Sequence, residues 1–343
     1  MFKRVLVANR GEIAVRVIRA LRALSVSSVA VYSKEDRDAL HTRLADERVC
    51  IGEGAARNSY LNMDTILTVA KNTGCDAIHP GYGFLSENAH FAKKCEENGI
   101  TFIGPTAEVI EEMGNKSEAR RRMRKAGVPV VPGSISVLYD VGEALEEARK
   151  MGFPVMIKAS SGGGGKGMRE CYKEEDFEKD FLTAQRESAN AFSDDAMYLE
   201  KLILEPRHVE VQIMGDSYGH VVALGERDCS IQRNHQKLVE ESPSPAVSEK
   251  TRKAMMEAAV KAAASVRYTG AGTIEFIMDK DGQFYFMEMN TRIQVEHGVT
   301  ELLTNTDLVM EQIRVSAGEK LSYRQEDIPF LGHSIECRIN AEI

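Results

Sequence analysis

The chain has 343 residues, 43% of them hydrophobic and 28% charged, which is ample for more than one core. Its formal net charge of -8 argues against nonspecific nucleic-acid binding, no apolar run approaches the roughly 18 residues of a membrane helix, and the start at Met1 lacks a signal-length apolar region. Six cysteines, Cys50, Cys75, Cys95, Cys171, Cys229 and Cys337, are widely spread without a C-x-x-C pair, the usage expected of reduced thiols in a cytoplasmic protein.

In chain order, Arg4 to Ala8, Ser28 to Tyr32, Asp76 to His79 and Thr101 to Gly104 read as short strands separated by helical stretches such as Glu12 to Leu24 and Met63 to Asn72. Strands alternating with helices predict a parallel α/β first domain. The basic run Arg120 to Lys125 reads as the C-terminal half of a helix closing at Gly127, where cations complement the helix dipole. Gly127 to Gly133, with two prolines, punctuates the chain. A helix from Asp140 to Met151 then precedes a strand, Phe153 to Lys158, that ends in a lysine.

Four consecutive glycines follow, 162 to 165, before Lys166 and Gly167. They free the backbone to approach phosphates and to move as a lid, although the run alone is equally a flexible linker. It is no Walker A loop, because Gly167 stands where that motif has Ser or Thr, and the first turn, Asn9-Arg-Gly-Glu12, is no G-x-G-x-x-G. Ala196 to Glu200 is a further strand, and Glu249 to Val266 is an Ala/Met-rich helix whose stripe is core packing.

The densest chemistry lies near the end. Gly272 to Met278 and Gln283 to Glu288 flank Lys280-Asp-Gly282, so a hairpin with Asp281 and Gly282 as a two-residue loop is expected. That register sets Glu275 directly across from Glu288, with Cβ atoms roughly 4.5–5.5 Å apart, a repulsion that a divalent cation relieves. Asn290 faces the same way and offers a third oxygen to a hard metal. Beyond it Arg292, Gln294 and Glu296 continue the alternation, with Met287, Met289, Ile293 and Val295 on the opposite face. A solvated strand face is the plain alternative.

These features together resemble the ATP-grasp superfamily and, within it, biotin carboxylase. Val7 to Ala14, His79 to Asn88, Glu226 to Arg233 and Glu288 to His297 all look like that family's signatures, in the right order and nearly from end to end. Two departures stand out: Gly298 replaces the proline common after Glu-His, which should alter only a local turn, and the residues stop at Ile343, before the family's C-terminal domain. The resemblance implies an N-terminal parallel α/β domain, Rossmann-like and pre-ATP-grasp, over 1–113. An ATP-grasp α+β domain over 114–328 follows, with a lid at about 131–203, and 329–343 begins the C-terminal domain.

It also implies roles. Glu200, Lys201 and Ile203 would receive adenine. Lys116 and Lys158 would neutralise the triphosphate, with Gly164 and Gly165 of the lid and Gln232 beside it. His208 and His235 would contact nucleotide, or serve as hydrogen-bonded structural histidines. Glu275, Glu288 and Asn290 would hold Mg²⁺ or Mn²⁺. Arg292 would grip bicarbonate through paired hydrogen bonds, with Gln294, the Val295 backbone and Lys237 completing the anion pocket. Glu296 would be the general base and Arg338 would stabilise the ureido enolate of biotin, unless those two are merely salt-bridged partners. Cys229 reads as ordinary burial.

The activity so implied is ATP- and bicarbonate-dependent carboxylation of biotin on a biotin carboxyl carrier protein, alongside a carboxyltransferase. Acetyl-CoA carboxylase is the expected host, as a free subunit, because the motifs begin at residue 1 with no leader. Pyruvate or propionyl-CoA carboxylase, a carbamoyl-phosphate-synthetase-like ligase, or a nucleotide-binding fragment without turnover are the alternatives. The family member is expected as a homodimer at full length; this chain alone is expected to be monomeric or weakly dimeric and slow.

Overall fold

The computed structural model describes residues 1–134, 136–159, 167–192, 194–234 and 236–339, and of residues 117, 191 and 192 the backbone alone. The expected lid glycines Gly164 and Gly165, and His235, lie outside the described residues. By compactness the chain forms two units, one of residues 1–129, 207–276 and 286–343, the other of 130–206 and 277–285.

In the first unit, β1 (Arg4–Val7), β2 (Ser27–Ser33), β3 (Glu47–Gly52), β4 (Ala77–His79) and β5 (Thr101–Phe102) form a sheet in the order β3-β2-β1-β4-β5, parallel throughout. Val5 to Ala8 are all fully buried, as a strand covered on both faces requires. Two of the crossover helices start at side-chain caps: Asn62 accepts from Thr65 N at 3.0 Å and Asn88 from Phe91 N at 2.8 Å. β3 has no continuous apolar run to mark it, being largely exposed. Strand order reverses between β1 and β4, where open α/β sheets bind ligands. There Asn9, just past β1, ties the two following loops together through Pro80 O at 2.7 Å and Tyr82 O at 2.8 Å.

The second unit is built on β6 (Val155–Ala159), β7 (Met168–Cys171) and β8 (Met197–Lys201), antiparallel in the order β7-β6-β8. Val155, Ile157 and Ala159 turn inward against Phe177 and Phe181 of the helix Phe177–Phe192 and Ala144 and Ala148 of Val141–Met151. The intervening Lys158 therefore lies on the other face of β6.

The largest sheet runs β13-β12-β9-β10-β11-β14, with β9 Arg207–Gly215, β10 Val221–Arg233, β11 Gln236–Ser242, β12 Gly270–Met278, β13 Phe284–Asn290 and β14 Ser334–Cys337. Its Met214, Val222, Leu224 and Ala271 share one core with Val5, Val7 and Ile18 of the N-terminal layer, which is why these segments form a single unit. The helix expected from Glu249 to Val266 is present as Glu249–Ser265, capped by Ser248 and packed on β9 and β10.

The hairpin between β12 and β13 differs from expectation. Asp279 N donates to Gln283 O at 2.9 Å and Gly282 N to Asp279 O at 3.2 Å, closing a three-residue turn of Lys280, Asp281 and Gly282, with Gly282 at φ 79°. Asp279 takes up the bend by accepting from the backbone of Asp281 and Gln283, which the Asp-Gly pair alone did not reveal. The two-residue loop that set Glu275 opposite Glu288 is not formed. The polar alternation also outruns the strand: β13 ends at Asn290, and Arg292, Gln294 and Glu296 lie in the turn leading to the helix His297–Thr304. Met289 and Ile293 are buried as expected, whereas Met287 is 39% exposed.

Candidate active site

Arg227 is the organising residue. It lies mid-strand in β10, 0% exposed, and spends all five donor hydrogens: Nε on Glu210 Oε1 at 2.7 Å, Nη1 on Gln212 Oε1 at 2.7 Å and Thr300 Oγ1 at 3.0 Å, Nη2 on Thr273 Oγ1 at 3.2 Å and Gln294 Oε1 at 2.9 Å. Three strands and the segment after β13 are thereby joined. The sequence motif around Arg227 was legible; its role was not, because a hub is defined by partners far apart in sequence.

Beside it Lys237 on β11 reaches into three carboxylates, Glu210 Oε2, Glu275 Oε1 at 3.0 Å and Glu296 Oε1 at 2.8 Å. Burial opposes the lysine's charge, but Glu210 and Glu275 outweigh it and raise its proton affinity well above the ordinary value. Burial likewise opposes ionisation of Glu210, yet Arg227 and Lys237 hold that carboxyl well below the usual range. Glu275 is also held low despite burial, by His208 and Lys237.

Glu275 is enclosed by donors: besides Lys237, Oε1 accepts from Asn290 Nδ2 at 2.8 Å and Gln294 Nε2 at 3.2 Å, while His208 Nε2 stands 3.0 Å from Oε2. His208 is fixed from its other side by Gln232 Nε2, 2.8 Å from Nδ1. Glu288 has a different neighbour, Lys116 Nζ at 3.4 Å, the two being 39% and 80% exposed. Two carboxylates and an amide oxygen suit a hard divalent cation. Of the three expected ligands, Glu288 is the most exposed. The described residues also gather His208, Glu210 and Glu275 closely enough to share an ion, a set with two members outside the expected triad.

Arg292 donates from Nε to Glu87 Oε2 at 2.8 Å and from Nη2 to Asn290 Oδ1 at 3.2 Å. Glu87 also accepts from Thr291 N at 3.2 Å, so the loop after β4 orients the start of the polar turn. Glu87 sits in a motif that was read, without a role of its own. Glu296 precedes the helix His297–Thr304, and each of its oxygens meets a cation: Lys237 at Oε1 and Arg338 Nη2 at Oε2, 2.9 Å away. The ion pair between Glu296 and Arg338 that chemistry left open does exist. Val295 is half-buried. Cys229 is fully buried and its thiol is pushed well up by burial, so it stays protonated.

In the second unit, Lys158 Nζ is paired with Glu200 Oε2, and Lys201 Nζ donates to Gly152 O at 2.8 Å and Phe153 O at 3.1 Å. Burial lowers the proton affinity of Lys201. Ile203 is half-buried just past β8.

Against known proteins, residues 1–110 match the family described as "Biotin carboxylase, N-terminal domain" and residues 115–324 the one described as "Carbamoyl-phosphate synthase L chain, ATP binding domain". The chain is 58% identical to "Biotin carboxylase 1" of Bacillus subtilis over its whole length, covering 76% of that protein. It is 57% identical to "Biotin carboxylase 2, chloroplastic" of Populus trichocarpa, with 99% of this chain aligned to 65% of the relative. Among solved structures, the biotin carboxylase domain dimer of the Hydrogenobacter thermophilus 2-oxoglutarate carboxylase, with MgADP, ADP and bicarbonate, matches at TM-score 0.86 and 54% identity, covering all of this chain and 75% of that one.

Proposed function

The chain belongs to the biotin carboxylase family, and from that premise we propose that it is an ATP-dependent ligase that activates bicarbonate and carboxylates biotin carried on a carrier protein. One observation carries the reading: Glu296 is suspended between Lys237 and Arg338, so a carboxylate and two cations meet where a planar anion and a developing enolate would each need them.

In this account Arg292 and Gln294, with the backbone of Val295 and the charge of Lys237, hold bicarbonate. Glu296 removes its proton, and the freed oxygen attacks the γ-phosphorus as the bond to ADP breaks, giving carboxyphosphate. Carboxyphosphate then breaks its C–O bond to give CO₂ and phosphate, the released phosphate takes the proton of the ureido N–H, and the nitrogen bonds to CO₂ while Arg338 neutralises the ureido oxygen of the enolate. ATP binding falls to Lys116, Lys158, Glu200, Lys201, Ile203, His208 and Gln232. Glu275, Glu288 and Asn290 would hold Mg²⁺, which when bound would neutralise phosphate charge.

Acetyl-CoA carboxylase is the proposed host. The likeness to a 2-oxoglutarate carboxylase domain favours a second reading, service to a keto-acid carboxylase, because the residues above act before the acceptor is chosen. All six cysteines are free, which suits the cytoplasm; among the described residues no helix is long and apolar enough to cross a membrane. The test is ADP release by the purified chain with ATP and Mg²⁺. Bicarbonate should stimulate it, and Glu296→Gln should abolish the stimulation while nucleotide still binds. Equal rates with and without bicarbonate would refute the assignment.

A further inference from the structure

Arg338 is shared by two carboxylates, and the chemistry above uses one of them. Its Nη2 lies 2.9 Å from Glu296 Oε2 and 2.7 Å from Glu240 Oε1. Glu240, on β11, is fully buried, and among the described residues neither of its oxygens has a well-aligned hydrogen bond beyond that ion pair. A buried carboxylate without hydrogen bonds is costly, so its retention beside a reacting pair calls for a function. Directly across on β14 stands Glu336. Two carboxyl groups therefore face each other behind the guanidinium, an arrangement that disfavours charging both. Burial raises the proton affinity of each, and Glu336, with the charges of Glu240 and Glu296 added, is pushed up to about 7.

When Glu296 takes the bicarbonate proton, the O–H bond of bicarbonate breaks, one forms on Glu296, and that residue becomes neutral. Arg338 keeps its own protons and loses one of its two counter-charges. We propose that Glu240 is a positioning residue that holds the Arg338 guanidinium in place once Glu296 is protonated, so that it still faces the ureido oxygen of biotin in the second half of the reaction. This rests on the roles given above to Glu296 and Arg338. The other charged groups around the pair are Lys237 on the same strand, Glu210 on β9 and Arg227 on β10.

The experiment compares the unsubstituted chain with Glu240→Gln and Glu336→Gln, measuring ADP release with bicarbonate, with and without free biotin, across neutral pH. Glu240→Gln should lose about tenfold of the biotin-dependent rate, through loss of the buried ion pair to Arg338, and keep the bicarbonate-dependent rate without biotin and the KM for ATP. Equal biotin-dependent rates in the two proteins, or an equal loss with and without biotin, overturn the proposal. Should Glu240→Gln fail to fold, Glu336→Gln decides: removing the opposing carboxyl keeps Glu240 charged to lower pH, so the acid limb of the biotin-dependent profile should move down, and an unmoved limb refutes the idea. If the unsubstituted chain shows no bicarbonate dependence, the underlying reading falls and this proposal with it.

Discussion

Arg227 shows what a single residue does in this molecule, since five hydrogen bonds from one guanidinium fix Glu210, Gln212, Thr273, Gln294 and Thr300. Arg227→Met should cost about 3–5 kcal/mol in denaturant unfolding, because it takes from buried Glu210 one of its two cationic partners and leaves the acceptors of Gln212 and Gln294 without their donor. Glu210 itself makes stability pH-dependent. Its folded proton affinity is depressed, so its contribution is complete above the ordinary value of 4.5 and is lost as pH falls toward about 2. Acid unfolding should accordingly be less steep through that window in Glu210→Gln than in the unsubstituted protein. Glu288→Gln should weaken Mg²⁺-ATP binding by calorimetry, since Glu288 is the most exposed of the three proposed ligands; unchanged affinity removes it from the proposed metal set. At this scale the sequence made residue types legible, including Lys237, Arg292 and Glu296, by motif and alternation. It hid Arg227, Glu87 and Glu240, whose importance lies in partners contributed by other strands and loops.

At the scale of elements, the amphipathic helices and the doubly covered strands were legible because burial imposes a period on them. The strands β9, β10, β11 and β14 were not foreseen: β9 does carry a period of two, Val209, Val211 and Ile213 alternating with His208, Glu210 and Gln212, whereas β14 is only four residues long and half exposed. The β12–β13 turn failed for a local reason, the capture of two backbone N–H groups by Asp279. The helix His297–Thr304 carries a testable detail. Gly298, where the family commonly has proline, lies in its first turn, and a Cβ there meets nothing within 4 Å. Gly298→Ala should raise stability by about 0.5–1 kcal/mol in thermal unfolding, by reducing the freedom of the unfolded chain. A loss of stability would mean that glycine is needed there for another reason.

Across the whole molecule, the parallel N-terminal sheet and the six-stranded sheet share a core, so the loop after β4 can brace Arg292 from a distance of about two hundred residues in sequence. The segment 130–206 with 277–285 forms its own core around Phe177 and Phe181. The central claim, that bicarbonate oxygen attacks ATP under the direction of Glu296 and Arg292, has a direct isotopic test. With ¹⁸O-labelled bicarbonate, Mg²⁺, ATP and biotin, the phosphate released by the chain should carry one labelled oxygen, since the attacking atom stays on phosphorus when the carboxyl group departs. Phosphate whose new oxygen comes only from water would contradict the account.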